Sequence, residues 1–253
     1  MKKSKYIALA AVAAFTVAPL SACGAGQSNG SESKNYEIAM VAKGFSQSFW
    51  VSVHQGADDA AAKYGATVTF NGPDNDSQVD KQADMVQNAI NKSPDAVAIA
   101  PLDEAALTPA VQSAKSASIP LFAFDTAFET NADAITSTVK TSNREVGKVA
   151  AENLIALLNG KGKYAVIAHS QTDATSTERR DGFLDYMKKN APDMEMVGEV
   201  QYSNADQAKA QDIASAILQA NPDLDAIFAT NEATVVGAAT PVESALKSGH
   251  KVL

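Results

Sequence analysis

From Tyr36 onward, short apolar runs alternate with longer amphipathic ones. The run "YEIAMVAK" over 36–43 is followed by "FWVSVHQGADDAAAKYGA", in which Gly65 supplies a helix stop. "TVTFNG" then leads into "SQVDKQADMVQNAINKS", where Val79, Ala83, Val86 and Ile90 recur at helical spacing and Asp76 or Ser77 stands where an N-cap belongs. "DAVAIAP" precedes the helical "LTPAVQSAKSAS", and "IPLFAFD" ends at Asp125. Apolar strands alternating with amphipathic helices predict parallel sheets with crossover helices.

A β-rich stretch, "AITSTVKTSN", is expected to carry the chain across to a second lobe. The helix after it, "REVGKVAAENLIALLNG", is predicted to bury a stripe of Val146, Ala150, Leu154 and Leu157. Three further strands follow, "KYAVIAHS", "MEMVGEVQYS" and "LDAIFATN", each succeeded by a helical segment, before "HKVL" opens another strand. The fold expected is α/β, with two Rossmann-like lobes of parallel sheet, incomplete at the C-terminus: a first series of βα steps at 36–141 and a second, incomplete one at 142–253.

Ligands of open parallel sheets sit beyond the carboxyl ends of the strands, where loops converge and helix N-termini point. Those positions read "KGFSQSFW", "NGPDND", "PLDEA", "DTAFE", "HSQTDATSTER", "YSNAD" and "TNEAT". His54, His169 and His250 are far apart and Cys23 is the only cysteine, so neither a zinc site nor any other metal or cofactor is expected. A nucleophile elbow and a P-loop are both missing. Two hydrolytic readings stay open: His169 with Ser170, oriented by Asp173 or Asp125, and Asp125 with Glu129 as a glycosidase pair. The assortment is otherwise suited to a neutral, hydroxyl-rich ligand, because carboxylates accept from hydroxyls, Arg and Asn donate, and aromatic faces cover a ring.

The N-terminus changes where this happens. Lys2, Lys3 and Lys5 precede an apolar run from Ile7 to Val17, too short to span a bilayer comfortably, and "LSAC" ends at Cys23 before the Gly/Ser-rich "GAGQSNGSESKN". Residues 1–22 resemble a lipoprotein signal peptide, with Cys23 the lipidated N-terminus of the mature chain and 23–35 a flexible tether. The net charge of -8 disfavours nucleic acid as a partner.

Six segments in order, among them "KGFSQSFWVSVHQGADDAAAKYG", "IPLFAFDT", "TSNREVGKVAAENL", "TERRDGF" and "NPDLDAIFATNEATVVGA", resemble the type I periplasmic substrate-binding proteins of sugar ABC transporters, in the ribose-, galactose- and allose-binding branch. The resemblance implies a monomeric, non-enzymatic receptor that captures a monosaccharide and delivers it to a permease with its ATPase, held to the outer face of the cell membrane through the lipid on Cys23, or periplasmic if the envelope has two membranes. It implies a hinge between the lobes, an N-terminal lobe (36–141) without its final βα unit, Gln47, Phe49 and Trp50 as a polar residue and stacking pair, and Asp125, Thr126, Arg179 and Asn231 as further ligand-binding residues. Phe45 is assigned to the core, whereas Phe49 and Trp50 are expected to face the cleft. Ala100 and Ala205 stand where that family carries a polar and an aromatic residue. A sensor serving a membrane signalling partner is the alternative from another class, ahead of an exported glycoside hydrolase.

Overall fold

The computed structural model describes residues 35–45 and 47–253. The signal peptide, Cys23 and nearly all of the tether lie outside the described residues.

The first sheet is built from β1 (Tyr36–Val41), β2 (Ala66–Asn71), β3 (Ala96–Ile99), β4 (Leu121–Phe124) and β5 (Ile135–Val139). They pair in the order β2-β1-β3-β4-β5, all in parallel. Alternate side chains leave each strand on opposite faces. Val41, Val97, Ile99, Leu121 and Ala123 pack against α2 (Val79–Asn91) and α3 (Glu104–Ser116), while Met40, Val68, Phe70 and Phe124 turn to α1 (Ser48–Tyr64). As expected, Gly65 ends α1 in the left-handed conformation, at φ 67°.

In the second sheet, β6 (Gly162–Ala168) pairs in parallel with β7 (Met194–Met196), β8 (Gln201–Tyr202) and β9 (Ala226–Ala229). Tyr164 and Val166 face α4 (Asn143–Leu157) and α5 (Ala174–Asn190), whereas Ala165 and Ile167 face the side of α6 (Gln207–Ala220) and α7 (Glu232–Lys247). No strand is formed at "HKVL", although Leu253 exchanges two backbone hydrogen bonds with Asp225 and Ile227, at 2.9 and 3.0 Å, and Val252 is buried.

Two further local expectations fail. The buried stripe of α4 is Asn143, Gly147, Ala151 and Leu154, while Val146 and Leu157 are exposed. The helix is turned because α4 lies so close to α5 that a Cβ on Gly147 would come 2.0 Å from the Arg179 carbonyl oxygen, and one on Gly182 2.1 Å from that of Arg144. A small-residue seam decides the face against the larger valine. On α2, neither Asp76 nor Ser77 caps the helix; the N-cap is Gln78, without a side-chain bond, and Asp76 is used elsewhere.

Candidate functional site

Each sheet has a place where successive connections depart in opposite directions, the place at which open parallel sheets take their ligands. In the first sheet it lies between the ends of β1 and β3. Gln82, wholly buried on α2, braces it: its amide group donates to the carbonyls of Ala42 and Ala100 at 2.9 and 2.8 Å and accepts from the Leu102 amide at 2.9 Å. Gln82→Leu should therefore lower stability by about 3 kcal/mol in denaturant titration, since the backbone groups left behind stay buried and unpaired. In the second sheet it lies between β6 and β9, where α5 and α7 begin.

Lys43, at the end of β1, connects the two. Its ammonium lies 2.5 Å from Asp173 Oδ2, 3.0 Å from Asp125 Oδ2 and 3.3 Å from Thr175 Oγ1, with its side chain 3% exposed. Asp125 ends β4 in the left-handed region, at φ 62°, a conformation that costs a non-glycine residue energy and turns up at functional sites. Its Oδ2 also accepts from Thr126 at 3.1 Å. Asp173 is the N-cap of α5, with Oδ1 accepting from the amides of Thr175 and Ser176 at 2.7 and 3.2 Å.

Burial opposes charge on all these groups, so partners decide their state. For Lys43, Asp173 and Asp125 outweigh burial, and its pKa is raised. At Asp173, burial is overcome by Lys43 and His169, and the carboxyl is held well below the usual carboxylate range. At Asp76, burial prevails over the favourable influence of Lys43, His169 and the Trp50 N–H, and the carboxyl is pushed up. The signs fix a pH profile. Asp173, depressed on folding, contributes stability that is present above 3.8 and lost as pH falls through its folded value. Lys43, raised on folding, contributes stability that is full below 10.5 and lost as pH rises past it. Thermal melts across pH should show both limbs, and Lys43→Met should diminish the alkaline one.

Phe45 and Trp50 stand in the reverse of the expected order. Phe45 is 47% exposed and Trp50 only 2%. The indole packs with Ala42, Phe70 and Ala100, meets Phe49 edge-on at 4.8 Å and Phe124 at 6.4 Å, and donates to Asp76 Oδ1 at 3.2 Å. Phe49 beside it is 47% exposed. Gln47, extended, is the N-cap of α1 without a side-chain bond. Ala100 and Ala205 are both buried.

Arg179 projects from α5, with Nε donating to Asn143 Oδ1 and Nη1 to the Thr230 carbonyl, both at 2.8 Å. These bonds fix the guanidinium plane, while its neighbours pair elsewhere: Glu178 with Lys140 at 2.7 Å, and Asp181 with Arg180 at 2.6 Å. Arg180 also donates to the Tyr202 hydroxyl, at 3.0 Å. Asn231 caps α7, with Oδ1 accepting from Thr234 N at 3.0 Å. Among the described residues, its Nδ2 is the only buried side-chain polar atom without a hydrogen-bond partner. Buried donors are ordinarily satisfied.

His169 and Ser170 do not form the nucleophilic pair left open above. The His169 ring lies 2.7 Å from Thr230 Oγ1 and 3.3 Å from Thr175 Oγ1, while Ser170 Oγ accepts from the amides of Thr172 and Asp173. Sequence reasoning gave no role to Lys43 or Glu232, and considered Asp76 only as a helix cap and Asp173 only as a catalytic orienter. Their one signal was position at strand ends; Lys43 and Asp173 are 130 residues apart, and no local pattern joins them.

A family model described as a periplasmic binding protein domain matches residues 38–253. The D-allose-binding periplasmic protein of Escherichia coli is 30% identical over 223 residues, which cover 86% of this chain and 71% of that protein. Among solved structures, a solute-binding protein of an ABC transporter from Agrobacterium vitis with bound D-fucose superposes with a TM-score of 0.79 at 35% identity, over 85% of this chain and 74% of the other. A second from that organism, bound with α-D-tagatopyranose, gives 0.80 at 30% identity, over 86% and 75%. Two parallel-sheet lobes joined by a buried ion pair at their strand ends, in a chain matched by that family over nearly all its described length, make this a member of the periplasmic binding proteins.

Proposed function

We propose that the chain is the substrate-binding component of an ABC importer, capturing a monosaccharide between its two lobes and delivering it to a membrane permease with its ATPase. The observation that carries this reading is the buried, unpartnered Nδ2 of Asn231, a donor held by its own helix cap at the end of β9. A sugar hydroxyl satisfies it. Asp125, with one oxygen engaged by Lys43 and Thr126, accepts from another hydroxyl through its second oxygen. Arg179 offers the N–H groups not taken by Asn143 and Thr230. Phe49 supplies an exposed ring face, Trp50 stiffens it edge-on, and Gln47 and Thr126 complete the polar lining. Similarity to transport receptors that hold sugars supports the ligand class. The chemistry required is recognition alone, with no bond made or broken.

In the same reading, residues 1–22 are removed on export and a lipid on Cys23 holds the chain by its tether at the outer face of the membrane, as a monomer with lobes at 36–141 and 142–253. Among the described residues no helix is long and apolar enough to cross a membrane.

Trp50 provides the test, since it is the only tryptophan and its N–H bonds a carboxylate beside Lys43. Its fluorescence should change saturably with one member of a panel of D-allose, D-ribose, D-galactose, D-fucose and D-tagatose. Trp50→Phe, which keeps the ring packing better than Trp50→Ala, should abolish the signal and weaken binding more than Phe45→Leu does. Constant fluorescence and unchanged melting temperature with every sugar would refute the ligand class.

A further inference from the structure

The first turn of α1 is unusual in what it lacks. It carries no acidic residue, and its N-cap, Gln47, makes no side-chain bond to it. The first amides of a helix have no partner within the helix and favour an anion. Here the anion arrives from the other lobe: Glu232, at the start of α7, places Oε1 3.2 Å from the Ser48 amide and Oε2 3.2 Å from the Phe49 amide. One carboxylate thus takes two helix-end donors, one on each oxygen, across 184 and 183 residues of sequence.

We propose that Glu232 is a latch that closes the two lobes by capping α1 from across the cleft, and that it positions Phe49 for the ligand. The inference rests on the reading that the lobes close on a sugar, and its chemistry is separate from the sugar contacts. Phe49, whose amide is held, carries the exposed ring; Asn231, the residue before Glu232, carries the free donor. The latch therefore forms only when the aromatic wall and the donor are in register. Lys43 with Asp173 joins the lobes deep in the cleft, and Glu232 with α1 joins them at a second point. The contact is absent once the lobes part, so it acts on release of a ligand more than on its capture.

Hydrogen exchange of backbone amides in the full-length protein reads the latch without any sugar. In Glu232→Ala, the Ser48 and Phe49 amides should exchange on the order of 10-fold faster than in wild type. The amides of Ala57–Ala61 within α1 and Thr234 within α7 should keep their rates, which separates a lost latch from a frayed helix. Glu243→Gln, on the exposed part of α7, should change nothing. Ser48→Pro removes one donor while preserving α1, because proline suits the first helical position and Gln47 is already extended at φ -77° and ψ 146°.

With whichever sugar of the panel binds, stopped-flow Trp50 fluorescence should show dissociation accelerated roughly 10-fold in Glu232→Ala, with association changed less than twofold. Ser48→Pro combined with Glu232→Ala should be no faster than Glu232→Ala alone. Equal exchange of Ser48 and Phe49 in wild type and Glu232→Ala, or additive effects of the two substitutions, would overturn the latch. If no sugar binds, the ligand reading fails, and the exchange comparison decides the latch by itself.

Discussion

Lys43→Met should destabilise the protein by about 3–5 kcal/mol and loosen the two lobes, because it removes the cation and leaves the Asp125 and Asp173 carboxylates without it. The methionine preserves most of the volume, so the loss is electrostatic and not a cavity. Asp173 is buried as deeply as Lys43 and cannot recover its charge by solvation. Lys43→Met combined with Asp173→Asn should regain part of the stability, since the second change removes one of the stranded charges while the amide oxygen can still cap α5. Thermal melting of the four proteins of this cycle, at fixed pH and salt, measures the coupling. If Lys43→Met melts with wild type, the buried ion pair does not hold the lobes.

Asn231→Asp should weaken sugar binding by about 10–100-fold with little loss of stability. The substitution keeps an oxygen where Oδ1 accepts from Thr234, so α7 stays capped, and replaces the buried Nδ2 donor by an acceptor. A sugar hydroxyl loses its donor and meets a charge instead. Asn231→Ala is less informative, because it also removes the cap, at a cost of about 1 kcal/mol. Isothermal calorimetry together with a melting curve separates the two effects. Unaltered affinity in Asn231→Asp would mean that the free donor serves something other than the ligand.

Much of the fold is legible in the chain because its signal is local. A parallel strand buried on both faces reads as an uninterrupted apolar run, and the helix after it reads as a stripe, so "DAVAIAP" and "YAVIA" could hardly be placed elsewhere. The errors arise where packing overrides the stripe. Val146 loses to Gly147 because two helix backbones touch, and hydrophobicity says nothing about how closely helices approach. Trp50 turns inward for a related reason: Phe49 and Trp50, neighbours on the first turn of α1, cannot both face one direction, and the Asp76 acceptor that draws the indole inward lies 26 residues away.

The site is legible only in part. Asp125, Arg179 and Asn231 are polar residues at strand ends or on the helices that follow, and the structure brings each into a defined bonding arrangement. Lys43 also stands just past a strand, β1, and drew no attention, because a lone lysine there is ordinarily solvated. What makes it different is a pair of carboxylates, one from each lobe. Glu232 is the same case, an unremarkable first-turn acid of α7 whose partners are two amides of another helix. Contacts between lobes are set by tertiary closure, and no window of sequence contains both halves.

The most direct measurement is calorimetric titration of the full-length protein, freed of membrane, with the sugar panel, run beside Asn231→Asp. The expected result is a single saturable site for one monosaccharide, with affinity reduced about 10–100-fold in the variant. Heat of dilution alone for every sugar, in a protein shown by its melting curve to be folded, would contradict the assignment of the cleft to a monosaccharide.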